Sequence, residues 1–554
     1  MLSLLMGLLL VLGSSLTVQG VTLRSFGSYQ DIAPSPPRSQ HILTPVLSAL
    51  ARGDQQAARE MLDAILRKNP MLVAAHELDG IMRANAGDLS GAEQALRQAL
   101  KLSGTPRAIH VVYGKVLFHQ GRYAEAEPQF QRYLRVAPKD VTSHIYLARI
   151  AALRGKLEEG IRHLEQVVPT RGEQGAQALL QLIQWYIAVG NIDLAQQRLM
   201  FCDAHCQSLP GYPLVQALLL RAKGKTEDAQ RLLATLASKY PTFPEVWIEL
   251  GRVRRELGDF QGAKTAFQRA ADLPDADPIA RFELALTLLD NRETSQALEI
   301  LQGLVKQGAF PDAYTLLAKI QASEGQVQQA KTTLETLTQK YPDFAEGHLL
   351  LGLLKLGLKQ PKGAKQALTT AIELDPRLAQ AWIHLANLAA ASHHMKTAKT
   401  LLEKGIQAAP DHPELYYHLG LIHEHEHEWE QAAKAYEAAL QRQPDFAAAM
   451  NNLALTYVKL HKNLREAERL MRSLYASRPQ DPLVMANLGW VLVNRGDISE
   501  GLPLLENGVQ ALADNPELHY FLSVAYQKQG RQRDARKELE LARKFGLPIE
   551  YQTP

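Results

Sequence analysis

The chain has 554 residues, 46% of them hydrophobic and only 6% aromatic, with 61 basic side chains against 58 acidic ones. That composition, with no stretch of alternating β-branched residues, argues against a sheet-built protein and predicts an all-helical one. The net charge of +3 is spread in mixed sign, so no basic run points to nucleic acid or to an acidic lipid surface.

The first charged side chain is Arg24. The apolar run at 2–18 has the length of a signal-peptide core and is short for a membrane span. Ser14, Ser15 and Gly20 supply small residues for cleavage. Residues 1–20 are therefore expected to be a signal peptide, with an uncleaved membrane anchor as the alternative. No cysteine ends the run, so a lipid-modified terminus is not expected. Residues 21–38 contain Arg24, Pro34, Pro36 and Pro37 and read as a flexible linker. Export would put the rest in the periplasm, or on a membrane facing it.

From about Ser39 the chain repeats every 34 residues. Gly251, Gly352, Ala386, Gly420, Ala454, Gly489 and Ser523 hold one slot. Ala263, Ala364, Ala398, Ala432, Ala467 and Ala535 hold a second. Prolines close many units, among them Pro70, Pro138, Pro241, Pro342, Pro376, Pro410, Pro444 and Pro479, and Trp247, Trp382 and Tyr416 open others. Small residues at both slots predict two helices that cross closely, and the proline predicts where the second one stops. Pro45 is expected to start the first helix late, and Pro361 to open a second helix. One extra residue falls in the turn at 461–464, and the charged helix at 531–544 is expected to cap the array. The stretch 172–212 is the least regular, a kink or a seam.

This pattern resembles the tetratricopeptide (TPR) repeat family over almost the whole chain. The resemblance implies an all-α, right-handed TPR superhelix (an α-solenoid) of about fifteen helix–turn–helix units. It would comprise N-terminal units at 39–209, C-terminal units at 210–548 and a tail at 549–554. It also implies a concave groove that holds extended peptides or helices of partner proteins, without a cofactor. Little chain is left for a catalytic domain, so no enzyme is expected.

Cys202 and Cys206 are the only cysteines. The repeat register sets them one turn apart, late in the second helix of the fifth unit. In an exported protein a disulfide is expected there, and a small apolar filler at Cys202 is the competing reading.

Two histidine patterns invite a metal. His423, Glu424 and His427 satisfy H-E-x-x-H, in which two imidazoles on one helix face bind zinc and the glutamate acts as base. His393, His427 and His461 recur in the same turn of three units, with His394 and His425 beside them. A solvated turn accounts for both, because glutamate and histidine alternate locally and turns are polar anyway.

A further column, His384, His418, Asn452 and Asn487, shares one first-helix offset, with Asn387, Tyr417 and Trp490 near it. Amides and imidazoles can bond a peptide backbone whatever its sequence. The asparagine pair resembles, at two of four positions, the ladder in the groove of O-GlcNAc transferases. Asn451-Asn452-Leu453-Ala454, Leu488-Gly489-Trp490-Val491 and Asn515-Pro516-Glu517-Leu518-His519-Tyr520 resemble the C-terminal end of bacterial TPR proteins of exopolysaccharide and PEP-CTERM/exosortase systems. That likeness implies an envelope scaffold for assembling or exporting a polymer or surface protein. A cytoplasmic or inner-membrane-bound adaptor and a zinc enzyme are the other readings.

Overall fold

The computed structural model describes residues 37–103, 108–154, 156–168, 172–274 and 276–547. The expected leader, most of the linker and the tail lie outside them. The described residues hold 31 helices and no strand. Thirty of the helices pair into fifteen hairpins, and the short Ala204–Ser208 stands outside the pairs. The chain divides into two compact units, Met1–Ala309 and Phe310–Pro554. Within each, the second helix of a hairpin packs on the first helix of the next, and successive first helices also touch.

The small slots are explained by what covers them. Sixteen residues after the first slot comes a large side chain on the second helix. A Cβ built on Gly251 would stand 2.7 Å from the Phe267 ring, and one on Gly352 would stand 2.7 Å from Leu368. At Gly420 the covering ring is Tyr436. In the second slot, Ala263, Ala364, Ala398, Ala432 and Ala467 are fully buried. Helices at such a crossing tolerate almost no side chain between them.

The opening residues and the closing prolines are two halves of one device. Four residues before the small slot, a side chain reaches back six residues to the carbonyl that ends the preceding unit. Trp247 Nε1 donates to Pro241 O and Trp382 Nε1 to Pro376 O, each at 2.9 Å, and Tyr416 OH donates to Pro410 O at 3.0 Å. Imidazole Nε2 atoms of His76, His144 and His348 do the same to Pro70, Pro138 and Pro342, all at 2.9 Å. A carbonyl left over at a helix end gains a donor, worth about 0.5–1.5 kcal/mol per bond. Met450 and Met485 occupy this position in two later units, and a thioether has no hydrogen to donate.

The hairpin turns share a left-handed residue. It is glycine in most units, as at Gly258 (φ 78°) and Gly325 (φ 76°). In five units it is Arg292, Lys359, His393, His427 or His461, with φ between 49° and 62°. The histidine column is thus a column of left-handed turn residues. The extra residue of the thirteenth unit is absorbed by a second one, Asn463 (φ 51°). A side chain in this conformation costs roughly 1–2 kcal/mol, only part of which is offset by glycine's greater freedom when unfolded. His393→Gly is therefore expected to raise stability by about 1 kcal/mol. A denaturant midpoint that stays put or falls in this variant would count against the strain.

Two local expectations change, those for Pro45 and for the cysteines. Pro45 lies inside the helix Pro37–Ala51 and does not start it; the helix continues with one backbone bond fewer. Pro361 does open its helix, Pro361–Leu374. The irregular stretch is a shortened second helix, Ile192–Leu199, followed by Ala204–Ser208. Cys202 therefore precedes a separate short helix, and Cys206 lies inside it. The two residues do not share one long helix, because Asp203 caps the new one by accepting from Cys206 N at 2.8 Å. Their Cα atoms are 5.1 Å apart and their sulfurs at bonding distance, with both side chains buried.

Candidate functional site

The polar column of the second compact unit lies two residues before the small slot, on the seam between successive first helices. His384 is half-buried, and burial lowers its pKa. Burial also lowers that of His418, and His384 adds to the effect while Glu414 opposes it. Two imidazoles a repeat apart thus feel each other and favour the neutral form. Asn387 is exposed. Tyr417 packs against Tyr436 and Phe446, with ring centroids 5.8 and 5.2 Å away. Trp490 stacks on Phe521 at 4.2 Å.

The two asparagines belong to one hydrogen-bonded chain. Asn487, only 3% exposed, donates to Asn451 Oδ1 at 2.8 Å. Asn451 donates to Asn452 Oδ1 at 3.2 Å, and Asn452 to the Tyr436 hydroxyl at 3.4 Å. That hydroxyl donates to Glu424 Oε2 at 2.7 Å. Burial first, and Glu424 next, push the Tyr436 phenol well above its ordinary range. Amide and phenol groups in such a seam must be satisfied by one another or by a ligand. Here they satisfy one another, so Asn487 holds neighbouring helices together.

The same offset in the first compact unit carries Glu249 and Glu283. Neither belongs to the column expected from the sequence, and the signal that marks them is a charged residue two positions before a small slot. Arg252, 4% exposed, donates to Glu249 Oε1 and to Glu283 Oε1, each at 2.6 Å. Arg255 donates to Glu283 Oε2 at 2.8 Å, and Arg221 to Glu249 Oε2 at 3.0 Å. The result is a buried ladder of alternating charge across three first helices. Farther toward the N-terminus, Arg149 is 7% exposed and lies over the rings of Phe118 and Tyr146, at 4.9 and 5.2 Å. Its Nε and Nη1 have no hydrogen-bond partner, and burial lowers its pKa.

The zinc-protease geometry is not formed. The helix Pro413–His425 ends before His427, which sits in a left-handed turn, so the two imidazoles do not share a helix face. Glu424, which would be the base, accepts from Tyr436. His423 Nδ1 meets Glu428 Oε2 at 2.5 Å, and the His427 ring lies edge-on to Trp429. Among the described residues no three His, Cys, Asp or Glu side chains gather to hold a metal, and His393, His423, His427 and His461 form no such group. No described helix is long and apolar enough to cross a membrane.

Comparisons with known proteins agree with the repeat geometry. One Tetratricopeptide repeat model matches residues 46–106, 113–176 and 214–278, and another matches 254–320. The model of the Tetratricopeptide repeat protein 21 C-terminal ARM domain matches 307–484. Cellulose synthase operon protein C of Pseudomonas fluorescens is 24% identical over 53% of this chain and 22% of its own length. Protein O-mannosyl-transferase TMTC1 of Homo sapiens is 25% identical over 38% of this chain and 24% of its own. The chain spans less than a third of the length of the curated relatives it matches. Among solved structures, the APC/C hetero-tetramer Cut9–Hcn1 aligns over 87% of this chain and 95% of its own, with a TM-score of 0.43 and 15% identity. Yeast Tom70 aligns over 87% and 100%, with a TM-score of 0.35 and 16% identity. The repeating hairpins, their glycine and alanine crossings and the matching family models make the chain a member of the tetratricopeptide repeat family.

Proposed function

We propose that this TPR protein, suited to protein–protein scaffolding, is a non-enzymatic envelope scaffold that helps assemble or export a bacterial polymer or surface protein. It would work in the periplasm or on a membrane facing it, tethered or released according to the fate of residues 1–20. The observation that carries the scaffold reading is the set of His384, Asn387, Tyr417, His418 and Trp490 on first helices, which offers polar and aromatic groups in three of four consecutive repeats. Concave first-helix faces are the usual binding surface of solenoids. The envelope reading is supported by the likeness to cellulose synthase operon protein C over 53% of the chain. A cytoplasmic adaptor for client proteins is the second reading, to which the likeness of the repeats applies equally.

The test is a photo-crosslinking residue at Asn387 in the native host, with the exposed Lys404 of the adjoining second helix as control. The expected result is an envelope protein crosslinked at Asn387 and not at Lys404, and a mature N-terminus near residue 20. A cytosolic protein crosslinked to a chain with an intact N-terminus would favour the adaptor. Crosslinks at Lys404 alone would remove the first-helix face as the site.

A further inference from the structure

One position of the repeat brings a first-helix imidazole against the second helix nineteen residues on. At His110 the facing group is the amide of Gln129, with Nδ1 to Oε1 at 2.9 Å. At His519 it is the Glu538 carboxylate, with Nδ1 to Oε2 at 2.6 Å. At His144 it is a second imidazole, His163, with the two Nδ1 atoms 3.1 Å apart. The tautomer of His144 is fixed from behind. Its Nε2 must carry the hydrogen, because it donates to Pro138 O at 2.9 Å. Its Nδ1 therefore presents a bare lone pair, and His163 must supply the proton that sits between them.

An imidazole whose far nitrogen is bonded to a backbone carbonyl is the usual form of a metal-ligating histidine. Two nitrogens bound to one tetrahedral ion at about 2.0–2.1 Å stand roughly 3.3 Å apart. The observed separation is a few tenths of an ångström short of that. His144 is 7% exposed and held, whereas His163 is half-exposed and can admit an ion from solvent. Burial disfavours positive charge at His163, and His144 and Arg162 add to that, while Glu159, one turn earlier on the same helix, and Glu127 on the preceding hairpin oppose it.

We propose that His144 and His163 form a binding site for a divalent transition-metal ion, zinc, nickel or copper, in place of their shared proton, with water completing the coordination. The hydrogen leaves Nδ1 of His163 for its Nε2, so no net proton is released. This lies outside both the H-E-x-x-H stretch and the turn histidines, and it is independent of the scaffold reading.

The test uses the untagged, chelator-stripped full chain titrated with zinc chloride by calorimetry. His423, His425 and His427 are replaced together by Gln in the background, so that the alternating cluster does not contribute. One ion per chain is expected there, with affinity falling at least about tenfold in His163→Gln and in His144→Gln. Unchanged helicity of the metal-free variants guards against misfolding. Copper loaded into the same background should give an electron paramagnetic resonance spectrum with hyperfine structure from two imidazole nitrogens. An isotherm that survives His163→Gln, or a copper spectrum without two nitrogens, overturns the site and leaves the pair as a plain hydrogen bond.

Discussion

Glu283→Ala is expected to cost about 3–5 kcal/mol of stability, the largest effect of any single change to the charge ladder. Glu283 is 1% exposed and receives both Arg252 and Arg255. Deleting it strands the Arg252 guanidinium in the interior with Glu249 as its one remaining partner. Arg255 has a second carboxylate in Asp290, 3.6 Å away, and is less affected. Replacing both members, Arg252→Met with Glu283→Leu, should cost less than Glu283→Ala alone, since no charge is then left unpaired. The pH dependence has a definite sign. Burial pushes the Glu283 carboxyl up, but Arg252 and Arg255 outweigh it, so its folded pKa lies below the ordinary value of 4.5. Its contribution is therefore present above that value and lost as pH falls through the folded one. Between about pH 5 and pH 3 the wild type should lose more stability than Glu283→Gln. Equal losses, measured by denaturant titration at each pH, would show that the ladder is not what acid attacks.

The second large effect is at the crossing of Pro482–Arg495 with Ile498–Ala511. A Cβ on Gly489 would stand 2.7 Å from Gly501 O and 3.0 Å from Leu505 N, both backbone atoms. Rings and leucine branches can swing aside, as at Gly251 and Gly352, but a helix backbone moves only as a whole. Gly489→Leu should therefore lower stability by about 3 kcal/mol, the upper end for overpacking, and Gly489→Ala by about 1 kcal/mol or more. Gly303 is the control, since a Cβ there meets nothing within 4 Å, in the interior of Thr294–Lys306. Gly303→Ala should stabilise by roughly 0.5–1 kcal/mol through helix propensity. A melting temperature indifferent to Gly489→Leu would sink the register of the last three units.

Much of the fold was legible because a period of 34 multiplies each weak local signal. One glycine before an apolar residue says little, whereas the same small slot in many units marks a crossing. The covering side chain sixteen residues later, Phe267 or Tyr436, was equally periodic but varied in type, and so escaped notice. The site was less legible for a different reason. His384, His418, Asn452 and Asn487 were correctly grouped by offset, but an offset does not say whether a side chain meets solvent or the next helix. Asn487 meets Asn451, thirty-six residues away. Arg252 meets Glu283 at a separation of thirty-one. Neither separation equals the period, so a search for exact repeats does not pair them. The cysteines were displaced for a local reason, the capping aspartate at 203, which ended one helix and began another.

The bonds from opening side chains to closing carbonyls act as rivets between neighbouring repeats, and within the second compact unit the joints opened by Met450 and Met485 lack them. Met450 and Met485 can only pack. In a stack whose cohesion is a sum of nearest-neighbour terms, the weakest joints decide where it parts. The seams before Ala447–Lys459 and before Pro482–Arg495 are therefore where the second compact unit should breathe, exchanging amide hydrogens through partial opening while repeats on either side stay closed. The hydrogen-bonded chain from Asn487 to Tyr436 spans both of these joints. It supplies sideways, from Asn487 to the preceding first helix and from Asn452 to the second helix Trp429–Arg442, the cohesion that methionine withholds at the helix ends.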